Sequence, residues 1–384
     1  MAVVAGQRNT SNITQDQRRI DIGNRIALLE PESTPLTALL NRIGSERAIS
    51  PKFQALEDEL AARFDAINNG AGYASGATSV VVDNGGYFNV EDLVLVTRTG
   101  EMVRVTAVST NTLTITRGVG STAAAIVDND ELYILSSAAM EGDVSKQARS
   151  ETPTVITNYT QIFRDPFDES NTLRSSDTVH TPHDWAYVQN KKGIEHSTRI
   201  ERAFLFGKPS ESGSPAVRTT GGAFHFIGST NQTDAGGTFS ETELWSSART
   251  AFRYGRQRKI AFAGGLPIQV MNQFAQSKVQ VRSGETTYGL NITDYVTPFG
   301  QLSLVWHPLL DGAVYGGTIL VLDLDAVAKK YLHGMNAPGG SRDTHLNENI
   351  QENDRDGRKD EYLSEVGLKF GQAKRHATVT NITG

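Results

Sequence analysis

Several short segments of the sequence carry residue types that could bind an anion or act as a nucleophile. Gly118-x-Gly120 follows a strand-like run, as in a dinucleotide-binding loop, but the next segment is too short for the helix that would bind a pyrophosphate. Gly207-Lys208 precedes Pro209 and lacks the upstream glycine of a phosphate loop. No serine stands between glycines at the spacing of a hydrolase nucleophile. The sequence therefore predicts neither an enzyme nor a nucleotide cofactor.

Two further patterns have the residue types of a metal site. His180 and His183 could form a metal-binding pair, but His180 precedes the predicted helix start, so solvated or capping roles are favoured over a metal. The acidic segment 352–356 begins like a calcium-binding loop. However, Leu363 stands where the bidentate glutamate should be, and basic residues interleave with the acidic ones. A solvated loop is the favoured interpretation, and no metal is predicted.

The densest positive cluster follows a predicted helix and consists of Arg253, Arg256, Arg258 and Lys259. Such a cluster could contact phosphate, but more often it marks an exposed helix end whose cations pair with acidic neighbours. Because Asp and Glu are abundant in this sequence, we favour the second interpretation.

Composition and charge limit the function further. The 384 residues carry a net charge of −6 with both signs interspersed, which argues against tight binding to duplex nucleic acid and leaves weak contact open. The chain contains no cysteine, so disulfides, thiolate metal sites and cysteine nucleophiles are excluded. The first ten residues do not resemble a signal peptide, and no run is apolar enough to span a membrane. We therefore expect a soluble protein that is not exported.

The most informative element is a long helix predicted over 182–206. Thr181 can cap it, Pro182 suits its first turn and Gly207 ends it. It would be roughly 37 Å long, yet polar residues interrupt its apolar face in the middle. An i, i+4 ladder of alternating charge is formed by Lys191, Glu195 and Arg199. The helix is interpreted either as a strut that crosses a thin structure or as an ordinary amphipathic helix interrupted by Gly193.

Hydrophobic periodicity and turn residues predict the elements around this helix. Helices are expected at 36–43, 51–68 and 241–253. A small β-barrel-like insertion is expected with strands at 79–83, 93–97, 102–108, 112–117 and 132–135. A polar extended loop is expected over 141–178. Further strands are expected at 260–262, 268–271, 302–306 and 318–322, followed by two long strands within 362–382.

The order of these parts, together with eight short stretches, points to a known family. The stretches are Pro31-Glu32-Ser33-Thr34-Pro35-Leu36, Glu141-Gly142, Thr160-Gln161-Ile162-Phe163, 195–207, Arg218-Thr219-Thr220-Gly221-Gly222, Tyr295-x-x-x-Phe299-Gly300, Val321-x-Asp323 and 362–382. In this order they resemble the major capsid (major head) proteins of tailed bacteriophages, which have the Hong Kong ninety-seven type of fold. The resemblance covers most of the chain, and the β insertion is its main departure.

The resemblance implies an α+β capsid fold. Its expected parts are an N-terminal arm with short helices (1–70), the β-rich insertion (71–138), an extended loop (139–180), a spine helix with the peripheral domain (181–240), an axial α/β domain (241–350) and returning C-terminal strands (351–384). The implied function is a non-catalytic major capsid protein that self-assembles into the hexamers and pentamers of an icosahedral or prolate phage head around double-stranded DNA. Subunit contacts are expected at Thr34, Pro35, Gln161, Phe163, Lys191, Glu195, Arg199, Tyr295 and Phe299.

The same resemblance implies which partners to expect. Further copies of the chain come first, and polar residues of the spine helix would find partners across subunits. Portal, scaffold and decoration proteins and non-specific contact with packaged DNA are allowed, whereas a membrane and a cofactor are not expected. The chain would reside in the virion after synthesis in the host cytoplasm. Two alternatives stay open, namely an encapsulin-like shell that holds cargo and a phage adhesin or tail structural protein.

Overall fold

The computed structural model describes residues 34–60, 62–142, 152–176, 184–229, 231–278, 282–283, 292–334 and 340–383. The chain forms two compact units, one of Met1–Ala55 with Val155–Gly384 and the other of Leu56–Thr154. The first unit combines helices and sheets and the second is built from strands, so the predicted α+β class is confirmed. Residues 1–33 of the N-terminal arm, and the predicted cap at Thr181 and Pro182, lie outside the described residues.

The helices of the described residues are α1 (Pro35–Ile43), α2 (Asn171–Ser175), α3 (Asp184–Phe206), α4 (Ala223–Ile227), α5 (Glu241–Ala251) and α6 (Gly265–Lys278). The predicted long helix is α3, and Gly207 follows its last residue as expected. The predicted α1 turns Leu36, Leu39 and Leu40 into the core. Helix α5 begins with a capping box, in which the Ser240 and Glu243 side chains each bond the other's backbone N–H.

The helix expected over 51–68 is wrong. This segment forms two strands, β2 (Lys52–Glu57) and β3 (Phe64–Ala66). Strand β2 pairs with the distant β9 (Thr154–Tyr159). Leu56 and Leu60, two of the apolar residues at helical spacing, are 73% and 88% exposed and therefore do not pack into a core. Pairing with a segment about a hundred residues away overrides the local periodicity.

A five-stranded sheet packs against α3 in the first unit. Its order is β1 (Glu46–Ala48), β19 (Val327–Leu332), β21 (Gly357–Phe370) and β10 (Gln161–Ser170), with β20 (His345–Asn347) beside β21. Strand β10 is antiparallel to β21 along its whole length. The helix contributes Ile200, Phe204 and Leu205 to the core. Residues 161–170, expected in the extended loop, therefore belong to this sheet, where Phe163 and Phe167 are buried.

A seven-stranded sheet with its own core completes the first unit. Its order is β13 (Gln232–Gly237), β22 (Ala377–Ile382), β18 (Ile319–Leu322), β14 (Arg258–Ala263), β17 (Gly300–Trp306), β16 (Ile292–Thr297) and β15 (Arg282–Ser283). The strands predicted within 260–262, 302–306 and 318–322 are confirmed. A short hairpin of β11 (Ser210–Ser212) and β12 (Val217–Thr219) lies outside both sheets.

One prediction for this region needs correction. The strand expected at 268–271 is wrong, because these residues lie in α6. A short apolar run does not distinguish strand from helix, and Pro267 in the first turn is compatible with a helix. The two strands predicted in the tail are confirmed as β21 and β22, which join different sheets.

The second unit is a small barrel. Its strand order is β3, β8 (Glu131–Ser137), β5 (Asp92–Val96), β6 (Glu101–Ser109), β7 (Thr112–Thr116) and β4 (Ser79–Val81). The Asn68 N–H donates to the Val81 carbonyl and the Asp83 N–H to the Ala66 carbonyl, both at 3.0 Å, which joins the two ends of the sheet. All five predicted strands and the barrel-like form are confirmed. The sixth strand of the barrel is β3, which lies in the segment wrongly predicted as a helix.

Candidate functional site

A buried polar cluster joins the middle of α3 to the five-stranded sheet. His196 is 0% exposed, and its Nδ1 lies 2.7 Å from Asp165 Oδ2 while its Nε2 lies 2.6 Å from Ser364 Oγ. Arg199 Nη1 lies 2.5 Å from the other oxygen of Asp165. The Ser364 hydroxyl donates to Thr344 Oγ1 at 2.9 Å or to the imidazole. The polar middle of the helix therefore has partners within its own chain.

The protonation of this cluster follows from its burial. Burial lowers the pKa of His196, and the neighbouring Asp165 carboxylate opposes that shift. A neutral His196 donates from Nδ1 to Asp165 and accepts the Ser364 hydroxyl at Nε2. This is the order of a serine–histidine–aspartate triad, but neither Ser364 nor His196 has exposed surface for a substrate to reach. The geometry supports a positioning role, in which the cluster fixes α3 on β10 and β21.

A second buried cluster centres on Glu201 of α3, also 0% exposed. Its Oε1 accepts the Leu36 N–H at 2.8 Å and contacts His307 Nε2 at 2.9 Å. Its Oε2 accepts the Thr37 N–H at 2.7 Å and also the Thr37 hydroxyl. These amides open the first turn of α1, and the Thr34 side chain makes no cap bond there. Glu201, which lies on α3, thus caps the N-terminus of α1. Its negative charge also interacts favourably with the partial positive charge at that end of the helix.

Two of the four residues in the positive cluster that follows α5, Arg256 and Arg258, pair with acids, as favoured from the sequence. Arg256 forms an ion pair with Asp325, and Arg258 Nη2 lies 3.9 Å from Asp294 Oδ2. Both arginines are more than half exposed, so each pair contributes about 1 kcal/mol or less.

Lys259 departs from that interpretation because it is buried. Its ammonium donates to the carbonyl oxygens of Ala251 at 2.7 Å, of Tyr254 at 2.8 Å and of Arg375. Two of these carbonyls lie at or just beyond the C-terminal end of α5, where a cation is favoured. Burial lowers the pKa of Lys259 to about 8, and the Asp323 carboxylate opposes the shift.

The Gly118 turn has a structural explanation in the barrel. Arg117 forms a bidentate pair with Glu101 at 2.7 and 2.6 Å, and both side chains are buried. The N–H groups of Gly118 and Ala124 donate to the same carboxylate at 3.1 and 3.0 Å. Burial alone would raise the pKa of Glu101, but the Arg117 and amide hydrogen bonds lower it below its ordinary value. Gly118 adopts φ +64°, which suits glycine, so that its amide points at Glu101.

The described residues hold no group of three or more histidine, aspartate and glutamate side chains that could bind a metal. In the segment 352–356, Arg355 Nη2 lies 2.6 Å from Asp168 Oδ2, and Asp356 accepts the Asn171 amide at 2.5 Å. His180 and His183 lie outside the described residues. None of the helices in the described part of the chain has the length and apolarity that a membrane crossing requires.

The residues predicted at subunit interfaces occupy different environments. Pro35, Phe163 and Tyr295 are buried, and the last two lie in the cores of the first unit. Burial raises the pKa of Tyr295. Gln161 is half-buried and accepts the Thr220 N–H at 3.1 Å. The others are exposed or half-buried: Thr34, Lys191, Glu195, Arg199 and Phe299. The predicted charge ladder is replaced by other pairs, since Glu195 bonds Lys192 at 2.6 Å and Arg199 bonds Asp165.

Sequence reasoning missed the partners of the two clusters on α3. His196 and Glu201 lie on the same helix as the core residues Ile200 and Phe204. A polar side chain buried beside such core residues needs a hydrogen-bond partner. That signal identifies the helical residues but not Asp165, Ser364 or His307, which come from distant segments.

Comparison with known proteins gives concordant matches. A family model described as SU10 major capsid protein matches residues 6–383. A major capsid protein of Pseudomonas phage PaMx41 is 25% identical over 355 residues, covering 88% of this chain and 84% of that protein. The capsid chain of an empty GTA particle has a similar fold, with a TM-score of 0.51 at 9% identity over 97% of this chain and 99% of that one. The native GTA capsid chain gives 0.50 at 10% identity over 97% of each chain.

Proposed function

Since this chain belongs to the SU10 major capsid protein family, a family of phage shell proteins, we propose that its copies assemble as hexamers and pentamers of a closed phage head around double-stranded DNA. The match over residues 6–383 carries this proposal, and the capsid-like fold over 97% of the chain supports it. The family match favours a phage head over the encapsulin-like and adhesin alternatives. No catalytic step is part of the proposal.

The proposal assigns roles to the parts of the first unit. Residues 181–240, which contain α3, would form the peripheral domain. Residues 241–350, which contain five strands of the seven-stranded sheet, would form the axial domain at the hexamer and pentamer centres. Subunit contacts would use the predicted residues that keep exposed surface, among them Lys191, Arg199 and Phe299. Exposed contacts of this kind contribute about 1 kcal/mol or less each, but they repeat around a closed shell.

The remaining partners fit the charge of the chain. A net charge of −6 is compatible with weak, non-specific contact with packaged DNA and not with tight binding. Portal, scaffold and decoration proteins would be further partners. The shell protein would be made in the host cytoplasm and reside in the virion.

Negative-stain microscopy and sedimentation velocity of the purified full chain test the proposal. We expect closed shells, or hexamers and pentamers that convert to shells as the concentration rises. Slender trimers would favour the adhesin alternative. A chain that stays monomeric at high concentration would overturn the assignment.

A further inference from the structure

The outer surface of the barrel has an apolar side. Four outward side chains stand opposite one another across neighbouring strands: Phe64 pairs with Tyr133, Tyr133 with Leu95, and Leu95 with Met102. Phe64 is 45% exposed and Tyr133 38%, while Leu95 and Met102 are half-buried. Directly opposed side chains lie close enough to touch, so these four residues form one continuous row. We call this row the barrel stripe.

The other side of the barrel is polar at the corresponding positions. Ser79 of β4 pairs with Thr114 of β7, and Thr116 lies two residues further along β7. All three are exposed hydroxyl residues. An outward strand position therefore does not need an apolar side chain for the barrel to fold.

The barrel core does not require the stripe either. The inward positions of the same strands, including Val94, Val103 and Leu132, are at most 3% exposed and fill the interior. A contiguous apolar row on the outside of a filled barrel is typical of a surface that contacts another molecule.

The distribution of charge along the chain indicates which molecule the barrel stripe contacts. The unit Leu56–Thr154 contains fourteen acidic and six basic residues, a net charge of −8. The rest of the chain contains 29 acidic and 31 basic residues, a net charge of +2. Two barrels would repel each other, whereas a barrel and the first unit attract.

Resting on the proposed assembly into shells, we infer that the barrel stripe docks onto the Met1–Ala55 and Val155–Gly384 unit of a neighbouring copy. The apolar row supplies the buried area of this contact, and the charge difference between the units selects the partner surface. The insertion is then part of the lattice and ties one subunit to the next.

The absence of cysteine from the chain allows a test with single-cysteine variants. Phe64→Cys and Tyr133→Cys place a thiol in the stripe, and Ser79→Cys places one on the polar side as a matched control. Maleimide labelling rates are measured on dispersed subunits and on assembled shells, after circular dichroism shows that each variant is folded. We expect labelling of the stripe variants to slow by about tenfold on assembly, with Ser79→Cys unchanged.

A cross-link identifies the partner surface. Benzophenone-maleimide is attached to Tyr133→Cys subunits, which are mixed with ¹⁵N-labelled parent subunits, assembled and irradiated. We expect cross-linked peptides that join the barrel of one copy to residues 1–55 or 155–384 of another. Full labelling of the stripe in shells, protection already in dispersed subunits, or cross-links between two barrels would each overturn the inference. If the parent chain forms no shells, the proposed function itself fails, and the docking with it.

Discussion

Glu201 and His307 form a buried pair, with His307 Nε2 2.9 Å from Glu201 Oε1 and neither side chain exposed. His307 follows β17 of the seven-stranded sheet, and Glu201 lies in α3 beside the five-stranded sheet. The same carboxylate accepts the first-turn amides of α1. One acidic side chain thus connects a spine helix, an arm helix and the end of a second sheet.

We predict that Glu201→Gln lowers the free energy of unfolding by about 3 kcal/mol. The carboxylate accepts hydrogen bonds from the N–H groups of Leu36, Thr37 and His307. The glutamine side chain replaces one accepting oxygen with a donating NH₂ group, so at least one of these buried donors loses its acceptor. Urea unfolding of dispersed subunits, followed by tryptophan fluorescence, measures the change. Hydrogen exchange should show faster exchange in α1 than in the parent.

Glu195→Gln is the matched control on the same helix. Glu195 pairs with Lys192 and both side chains are about one-third exposed, so removing the charge should cost less than about 1 kcal/mol. If the two variants unfold at the same urea concentration, the capping role of Glu201 is wrong.

Particular residues show what could be predicted from the sequence and what could not. The long helix and the barrel strands follow from local patterns, since Gly207 and the turn residues mark their ends. The cluster around His196 could not be derived, because Asp165 and Ser364 are 31 and 168 residues away in sequence and only the paired β10 and β21 bring them together. The false helix over 51–68 has the same origin, because β2 is determined by its pairing with β9.

Two glycine substitutions should have opposite effects on thermal stability. Gly193→Ala places a methyl group in ordinary contact with the Tyr362 ring, 3.4 Å from Oη, and removes a helix-interior glycine. We expect the free energy of unfolding to rise by about 1 kcal/mol and the melting temperature to rise with it.

Gly255→Ala should lower the melting temperature, because Gly255 has φ +82° and the new methyl group would collide with the Asp323 carboxylate. Differential scanning fluorimetry measures both, and a lower melting temperature for Gly193→Ala would contradict the packing described for α3.

His376 should make the subunit sensitive to acid. Its Nδ1 accepts the Asp323 N–H and its Nε2 contacts the Gly371 carbonyl, both at 3.1 Å. Burial lowers its pKa from 6.5 to about 4; Lys259 and Arg375 act in the same direction, and the Gly371 carbonyl and Asp323 oppose the shift.

Between pH 6.5 and 4 the unfolded chain therefore binds a proton at this residue that the folded chain does not. The free energy of unfolding should fall by up to about 3 kcal/mol as the pH drops through this window. His376→Gln keeps one acceptor and one donor, so it should unfold like the parent at pH 8 and show a smaller loss at pH 4.5. An unchanged pH slope in this variant would assign the acid sensitivity to other groups, such as His196, whose pKa burial also lowers.

Deleting residues 1–21 should leave the subunit folded and impair assembly. The deletion keeps α1, its Glu201 cap and both cores, so the melting temperature of dispersed subunits should stay within about 2 °C of the parent. Residues 1–17 of the deleted segment are polar and short of large hydrophobes, so we expect this arm to gain its contacts from neighbouring copies. Negative-stain microscopy and sedimentation should show fewer closed shells at equal concentration. Normal shells from the shortened chain would show that the arm is dispensable, and a large fall in melting temperature would show that it stabilises its own subunit.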